Sequence, residues 1–251
     1  MAMKISVITV CFNSAATISD TLRSVADQTH PDVEHVIVDG GSRDDTVKLA
    51  HTLGRSGKVI ISEPDKGIYD AMNKGLRLAT GEVIGFLNAD DMYAANDVLA
   101  KVSALMQQRG LDALYGDTEF IHPHNLNKPV RRYRSDRFRP DRIGWGWMPA
   151  HPALFLRRQV FERYGDFRPD YRIAGDFELV ARVFHPGELV YQHIPEVLVC
   201  MRTGGISTGG MRSTLLLNQE VLRACRENGI DSNWWKILSK YPAKFLEFFQ
   251  K

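Results

Sequence analysis

The first ninety residues alternate between two periodicities, and that alternation limits the fold more than any single motif does. Apolar, β-favouring runs occur at Lys4 to Cys11, Val33 to Asp39, Lys58 to Ser62 and Val83 to Leu87. Between them, Ile18, Leu22 and Val25, then Val47, Leu49 and Ala50, then Ile68, Met72, Leu76 and Ala79 recur at helical spacing. Ser14 is the expected cap of the first helix and Asp44 or Asp45 the start of the second. Gly67 precedes the third helix and Gly81 closes it as a C-cap glycine. Strands alternating with helices in this way predict a parallel sheet covered on both faces.

Three of these strands run out into polar residues: Phe12-Asn13, Asp39, and Asn88-Ala89-Asp90-Asp91. In a parallel sheet those ends share one edge, and that edge is where open α/β folds bind ligands. Adjacent carboxylates at a strand end suit a hard divalent cation, and such a cation suits a diphosphate, whose departure it assists as a Lewis acid. Asp90 and Asp91 read only as caps of the next helix would leave Asp39 and Asn13 at the same edge unexplained. The Asp39 carboxylate is expected to accept a hydrogen bond from a base imide or a ribose hydroxyl, with Gly40 and Gly41 letting the backbone come close. Phe12 is either a core residue or a stacking surface for the base. The segment after the first strand lacks GxGxxG, which counts against a dinucleotide-binding oxidoreductase.

Beyond the acidic cluster, Val98, Leu99, Val102, Leu105 and Met106 mark a helix, and Asp112 to Ile121 a strand. Arg131 to Arg142 reads as a basic loop or edge, Ala153 to Leu156 as a short strand, and Leu189 to Met201 as mostly strand. Arg202 to Arg212 is a glycine-rich loop, followed by a helix bearing Leu217, Val221 and Cys225. Asp176 opens a helix that carries Phe177, Val180, Ala181 and Phe184 on one face. Its plain role is a cap. Its chemical role is a general base toward a hydroxyl, kept ionised by the helix dipole and exposed by a turn at Gly175. His151 is retained as an acceptor-site contact.

The net charge of +2 over 251 residues makes no case for nucleic acid. Cys11, Cys200 and Cys225 form no CxxC pair, so they read as thiols of a reducing compartment rather than disulfides or zinc ligands. No apolar run reaches the roughly 18 residues of a spanning helix, and the expected location is the cytoplasm. In the tail, Trp234, Leu238, Tyr241, Phe245 and Phe249 share one helical stripe and Lys236, Lys240 and Lys244 another, with Pro242 breaking or kinking it. That segment either packs on the domain or lies on an anionic membrane surface.

Four stretches in order resemble the family 2 glycosyltransferases of bacterial polysaccharide assembly: Val7 to Asn13, Val38 to Thr46, Ser62 to Gly75 and Phe86 to Asp91. The resemblance covers residues 4 to 95 and extends more loosely through Asp176 and Gly204-Gly205-Ile206-Ser207. It implies a GT-A fold: a mostly parallel nucleotide-binding sheet flanked by helices, a C-terminal acceptor region and an amphipathic tail. The domain would span 1–228, with a donor half at 1–110, an acceptor half at 111–228 and the tail at 229–251. It implies an inverting transfer from a nucleotide-diphosphate sugar, UDP foremost, with Mn²⁺ or Mg²⁺. Donor binding would fall to Thr9, Phe12, Asn13, Asp39, Asp65, Asn73, Asn88 and Asp90, the metal to Asp90 or Asp91, and catalysis to Asp176. Asn88 stands where the family motif often has its first aspartate, and Gly40 where many members have a second. The QxxRW signature of processive synthases is absent, which implies one sugar per acceptor. The implied acceptor is a polyprenyl-diphosphate-linked sugar, met at the inner face of the cell membrane. The rival reading within the same fold is an inactive, nucleotide-binding relative that scaffolds an assembly complex.

Overall fold

The computed structural model of the chain describes residues 2–123, 125–204 and 211–239. The first half follows the expected alternation. Strands β1 (Ile5–Cys11), β2 (Val33–Asp39), β3 (Val59–Ser62) and β4 (Val83–Phe86) pair in the order β3-β2-β1-β4, all parallel. Helices α1 (Ile18–Ala26), α2 (Thr46–Thr52) and α3 (Ile68–Leu78) connect them. Every residue of β1 is buried, and its side chains divide by the strand's period of two. Ile8 and Val10 pack with Met72 and Leu76 of α3, while Ile5 and Val7 pack with Val25 of α1 and with Val102 and Met106 of α4 (Val98–Arg109). Both faces of the sheet are covered.

The expected parallel sheet is the part β3-β2-β1-β4, and past β4 the sheet continues as a mixed one. β8 (Leu154–Arg157) runs antiparallel to β4, and β6 (Ala113–His122) antiparallel to β8. β9 (Tyr191–Arg202) is parallel to β6, and β5 (Asp91–Tyr93) antiparallel to β9. Antiparallel neighbours need no crossover helix, so this half does not repeat the strand–helix rhythm. The arginine-rich stretch begins inside an edge strand, β7 (Asn125–Tyr133), which among the described residues pairs only with β6 and holds Pro129 at a register shift, where a missing amide is tolerated. Short 3₁₀ turns follow at Ser135–Arg137, Pro140–Trp145 and His151–Ala153. Helix α5 (Arg158–Tyr164) was not anticipated; α6 (Gly175–Phe184) and α7 (Met211–Glu227) were.

Several helix ends differ from the sequence reading. α1 starts at Ile18, and Ser14 serves it through its carbonyl, which accepts from the Thr17 and Ile18 amides. α3 ends at Leu78 with Ala79 extended, so Gly81 is no C-cap. A Cβ on Gly81 would lie 2.6 Å from the Ser6 amide nitrogen, so this glycine serves close approach to β1. At the far end, α8 (Trp234–Leu238) packs back on the body: Ile237 is fully buried and the Ser232 hydroxyl donates to the Gly144 carbonyl at 2.7 Å. The packing therefore continues past residue 229. Tyr241, Phe245, Phe249, Lys240, Lys244 and Pro242 lie outside the described residues. Among the described residues no helix is long and apolar enough to cross a membrane.

Candidate active site

The carboxyl edge of β1, β2 and β4 carries the first group of site residues. β1 and β2 end level, Cys11 opposite Asp39, and the Gly40 amide donates to the Cys11 carbonyl at 2.9 Å. Asp39 is fully buried. Its Oδ2 accepts from the Gly41 amide at 3.0 Å, the Ser42 amide at 2.9 Å and the Ser62 hydroxyl at 2.7 Å, and its Oδ1 accepts from the Ser42 hydroxyl. Burial alone would raise its pKa; these donors outweigh it and hold the carboxyl below its usual range. A carboxylate offers about four acceptor positions; the turn and Ser62 of β3 crowd Oδ2, while Oδ1 accepts from the Ser42 hydroxyl and is approached by the Cys11 thiol at 3.7 Å. Asp39 thus holds the turn after β2, beside Phe12, Gly40 and Asp65.

Those neighbours are in place. The Phe12 ring is 60% exposed, which removes its core reading. Gly40 lies between that ring and Asp65: a Cβ there would touch the Asp65 carboxylate and sit 3.5 Å from the Phe12 ring. Asp65 keeps its own turn by accepting from the Gly67 amide at 2.8 Å through Oδ1, leaving Oδ2 toward Gly40. Asn13 adopts a positive φ of 48°, accepts from the Arg43 amide through its side chain and donates its own amide to the Ser42 hydroxyl. It locks the β1 ledge to the β2 ledge. The result is an exposed aromatic face beside a carboxylate over a glycine floor.

The acidic cluster follows β4. The Asp91 amide donates to the Asn88 carbonyl at 3.0 Å, so the four residues form one turn. Asp91 begins β5, is 2% exposed, and receives the Asn88 side-chain amide at 3.3 Å. Burial, and then the adjacent Asp90 charge, push its carboxyl well above the usual range. Asp90 is half-buried and also raised by burial. Arg202, at the end of β9, donates to the Asp90 backbone carbonyl at 2.8 Å and pairs with Asp20 of α1. Among the described residues the buried Asn88 Oδ1 has no hydrogen-bond partner. Two desolvated carboxylates and an orphan amide oxygen are hard oxygen donors short of positive charge, which fits Mn²⁺ or Mg²⁺. Among the described residues no three His, Cys, Asp or Glu side chains converge, so a cation here would complete its shell from water and phosphate oxygens, as Mg²⁺ commonly does. Asp90 is the more open of the two carboxylates.

Asp176 reaches this edge from the other half. β8 pairs with β4, which brings His151, just before β8, beside Phe86 at the end of β4, with ring centroids 5.7 Å apart. A cavity of about 10 Å³ is lined by Phe86, His151, Phe167 and Asp176 among apolar walls. Asp176 sits in the first turn of α6, not at its cap, and its Oδ1 accepts from the Phe177 amide at 2.8 Å. The Tyr69 hydroxyl of α3 donates to the Ile173 carbonyl at 2.6 Å and lies 3.4 Å from that same Oδ1. Gly175 serves close packing rather than a tight turn, since a Cβ there would lie 2.7 Å from the Tyr69 ring. His151 is partly buried; desolvation lowers its pKa while the Asp176 charge opposes this.

Two expected donor contacts do not face this edge. Thr9 is fully buried and its hydroxyl bonds the His35 ring at 3.0 Å inside the sheet. Asn73 spends both ends of its amide on the Phe167 backbone, at 2.8 and 3.0 Å, and so joins α3 to the segment before α6. Conversely, Tyr69, Arg202 and Glu220 shape the site without having been singled out. Tyr69 lay in plain view within the Ser62 to Gly75 motif; Arg202 and Glu220 gave no local signal.

Comparison with known proteins agrees with this geometry. Residues 6–165 match the model of glycosyl transferase family 2. A PGL/p-HBAD biosynthesis glycosyltransferase of Mycobacterium bovis is 34% identical over 207 residues, which is 80% of this chain and 78% of the relative. Among solved structures, Staphylococcus aureus TarS 1-349 in complex with UDP-GlcNAc superposes with a TM-score of 0.72 at 18% identity, covering 98% of this chain and 73% of TarS. The mannosyltransferase PcManGT of Pyrobaculum calidifontis, in complex with GDP-Man and Mn²⁺, gives 0.63 at 18% identity, covering 98% and 81%. The fold is GT-A, and the oxidoreductase alternative is gone. With a parallel ledge of strand ends, a carboxylate turn after β4 and a family match over residues 6–165, this chain belongs to glycosyl transferase family 2 and is a glycosyltransferase.

Proposed function

We propose that the protein is a metal-dependent, inverting, non-processive transferase that moves one sugar from a UDP-sugar to a lipid-linked sugar acceptor in surface polysaccharide synthesis. The observation that carries the reading is the turn Asn88 to Asp91, where two desolvated carboxylates meet an unpartnered amide oxygen beside the donor ledge. Phe12 stacks on the base, Asp65 accepts from the base or ribose, and Asp39 and Asn13 hold the ledge. Asp90, with Asn88 and Asp91 behind it, holds Mn²⁺ or Mg²⁺, which would neutralise diphosphate charge as the sugar departs. Asp176 takes the proton of the acceptor hydroxyl as that oxygen bonds to C1 and the C1–phosphate oxygen bond breaks, giving inversion in a single displacement. The neighbours solved with UDP-GlcNAc and with GDP-Man and Mn²⁺ support a nucleotide-sugar donor and a divalent cation.

The lipid-linked acceptor and a peripheral position on the inner face of the membrane rest on a different observation. Trp235 is 86% exposed beside Lys236, and Trp145, under the Lys236 ammonium at 5.8 Å, is also exposed. Exposed indoles with a basic neighbour suit the interface of an anionic bilayer.

The test is transfer by purified protein from a panel of UDP-sugars to a short-chain prenyl-diphosphate sugar with Mn²⁺. The expected result is UDP release with a product of inverted anomeric configuration by NMR. Donor binding without release, whatever the acceptor, would favour the scaffolding relative.

A further inference from the structure

Asp176 is held from behind by a carboxylate that belongs to neither the donor ledge nor the metal turn. Glu220 lies in the middle of α7 and is 6% exposed. Its Oε1 accepts from the Arg172 amide at 2.8 Å, and its Oε2 from the Ile173 amide at 2.9 Å and the Ala174 amide at 2.8 Å. Three successive backbone N–H groups converging on one anion form a nest, and here the anion is supplied by another helix of the same chain. A buried carboxylate is tolerated only when its charge is met by such donors. The arrangement therefore fixes the backbone of residues 172–174, immediately ahead of α6.

The opposite side of that segment is fixed as well. The Tyr69 hydroxyl donates to the Ile173 carbonyl at 2.6 Å, and its ring meets Gly175 with no room for a Cβ. Residues 172–175 are thus clamped between Glu220 of α7 and Tyr69 of α3. Asp176 is the next residue, and its side chain makes one short bond, to the Phe177 amide. Its direction is inherited from the clamp.

We infer that Glu220 is a positioning residue for the reaction: its three backbone bonds set where the Asp176 carboxylate stands relative to the donor. The inference rests on Asp176 being the base. A base must stand within hydrogen-bond reach of the hydroxyl it deprotonates, and a displacement of an ångström is costly to the chemical step while leaving the donor site untouched.

The experiment compares Glu220→Gln, Asp176→Asn and the double variant by steady-state transfer and by UDP calorimetry. Glu220→Gln keeps the size of the side chain but turns an amide N–H toward backbone donors. The expected result is a kcat lower by roughly 10–100-fold, with the donor KM and UDP affinity unchanged. In the double variant the loss should equal that of Asp176→Asn alone, because the two act as one unit. Glu220→Asp, which keeps the charge and shortens the reach, should fall between wild type and Glu220→Gln, and it replaces the amide variant if that does not fold. Wild-type kcat in Glu220→Gln, or losses that multiply in the double variant, overturns the inference while leaving Asp176 as the base. Wild-type transfer by Asp176→Asn overturns the base reading and this inference together.

Discussion

The N-terminal and C-terminal halves, proposed to bind donor and acceptor, hold their proposed site residues by different means. In the N-terminal half each carboxylate of the proposed site is held chiefly by its own turn, Asp39 with help from Ser62 of β3. Asp39 is bonded by Gly41 and Ser42, Asp65 by Gly67, and Asp91 by Asn88. On the acceptor side Asp176 is fixed through residues far away in the chain, Tyr69 and Glu220. Local fixing makes a preformed ledge whose parts fail one at a time. Remote fixing makes the proposed base depend on how α3, α6 and α7 pack. Substitutions in the first half should therefore alter donor binding, and substitutions in the second should alter turnover.

The largest expected effect is Asp176→Asn, which keeps shape and much of the hydrogen bonding but cannot take a proton. Transfer should fall by roughly 10²–10⁴-fold. A single-turnover assay at saturating donor reads this directly, and a rate near wild type would place the base elsewhere. Next comes the ledge. Phe12→Ala removes a ring that is mostly exposed, so UDP binding should weaken by about 1–3 kcal/mol, the worth of one base stack, with unfolding unchanged. Asp39→Ala strands the Gly41 and Ser42 amides and should instead destabilise the fold by about 1–3 kcal/mol. Equal thermal shifts for the two variants would erase the distinction between stacking surface and ledge.

That distinction was only half visible in the sequence. The parallel half of the sheet was legible because its strands are buried on both faces and its helices repeat at regular spacing, down to the shared edge of Asn13, Asp39 and Asn88. The mixed half was not, because antiparallel pairs such as β4 with β8 arise from contacts between segments far apart in the chain. Thr9 and Asn73 looked like donor contacts from their place in the motifs. Only the packing shows that Thr9 faces His35 and that Asn73 holds Phe167. Asp176 could be proposed as a base from its place at the opening of an apolar helix. What steadies it could not, since Glu220 sits among ordinary helical residues.

A smaller effect tests the remote clamp. Gly175→Ala puts a methyl 2.7 Å from the Tyr69 ring, and such overpacking costs about 1–3 kcal/mol of stability when the surroundings must shift. Because the strain falls beside Asp176, kcat should drop while UDP affinity holds; a change in UDP affinity alone would contradict the division of labour.

Acid sensitivity is a separate effect, and it belongs to the N-terminal half. His35 is buried, and desolvation followed by the Lys58 charge lowers its pKa from 6.5 to about 3. The unfolded chain takes up that proton first, so stability should decline as pH falls from 6.5 toward 3. Burial alone would raise the Glu34 pKa, but the Ser6 and Thr80 hydroxyls, the Thr80 amide and Lys4 bring it from 4.5 down to about 2. Its contribution is present above pH 4.5 and lost as pH falls toward 2. Denaturant midpoints across this range should show both stages, and Glu34→Gln should flatten the lower one alone.

Calorimetric titration of UDP into Asp90→Ala and Asp176→Asn, each with Mn²⁺ and with EDTA, tests the separation of the two halves most directly. Wild type and Asp176→Asn should bind UDP more tightly with Mn²⁺, and Asp90→Ala should lose that gain while remaining folded. The same metal dependence in all three proteins, or its loss in Asp176→Asn, would contradict that separation.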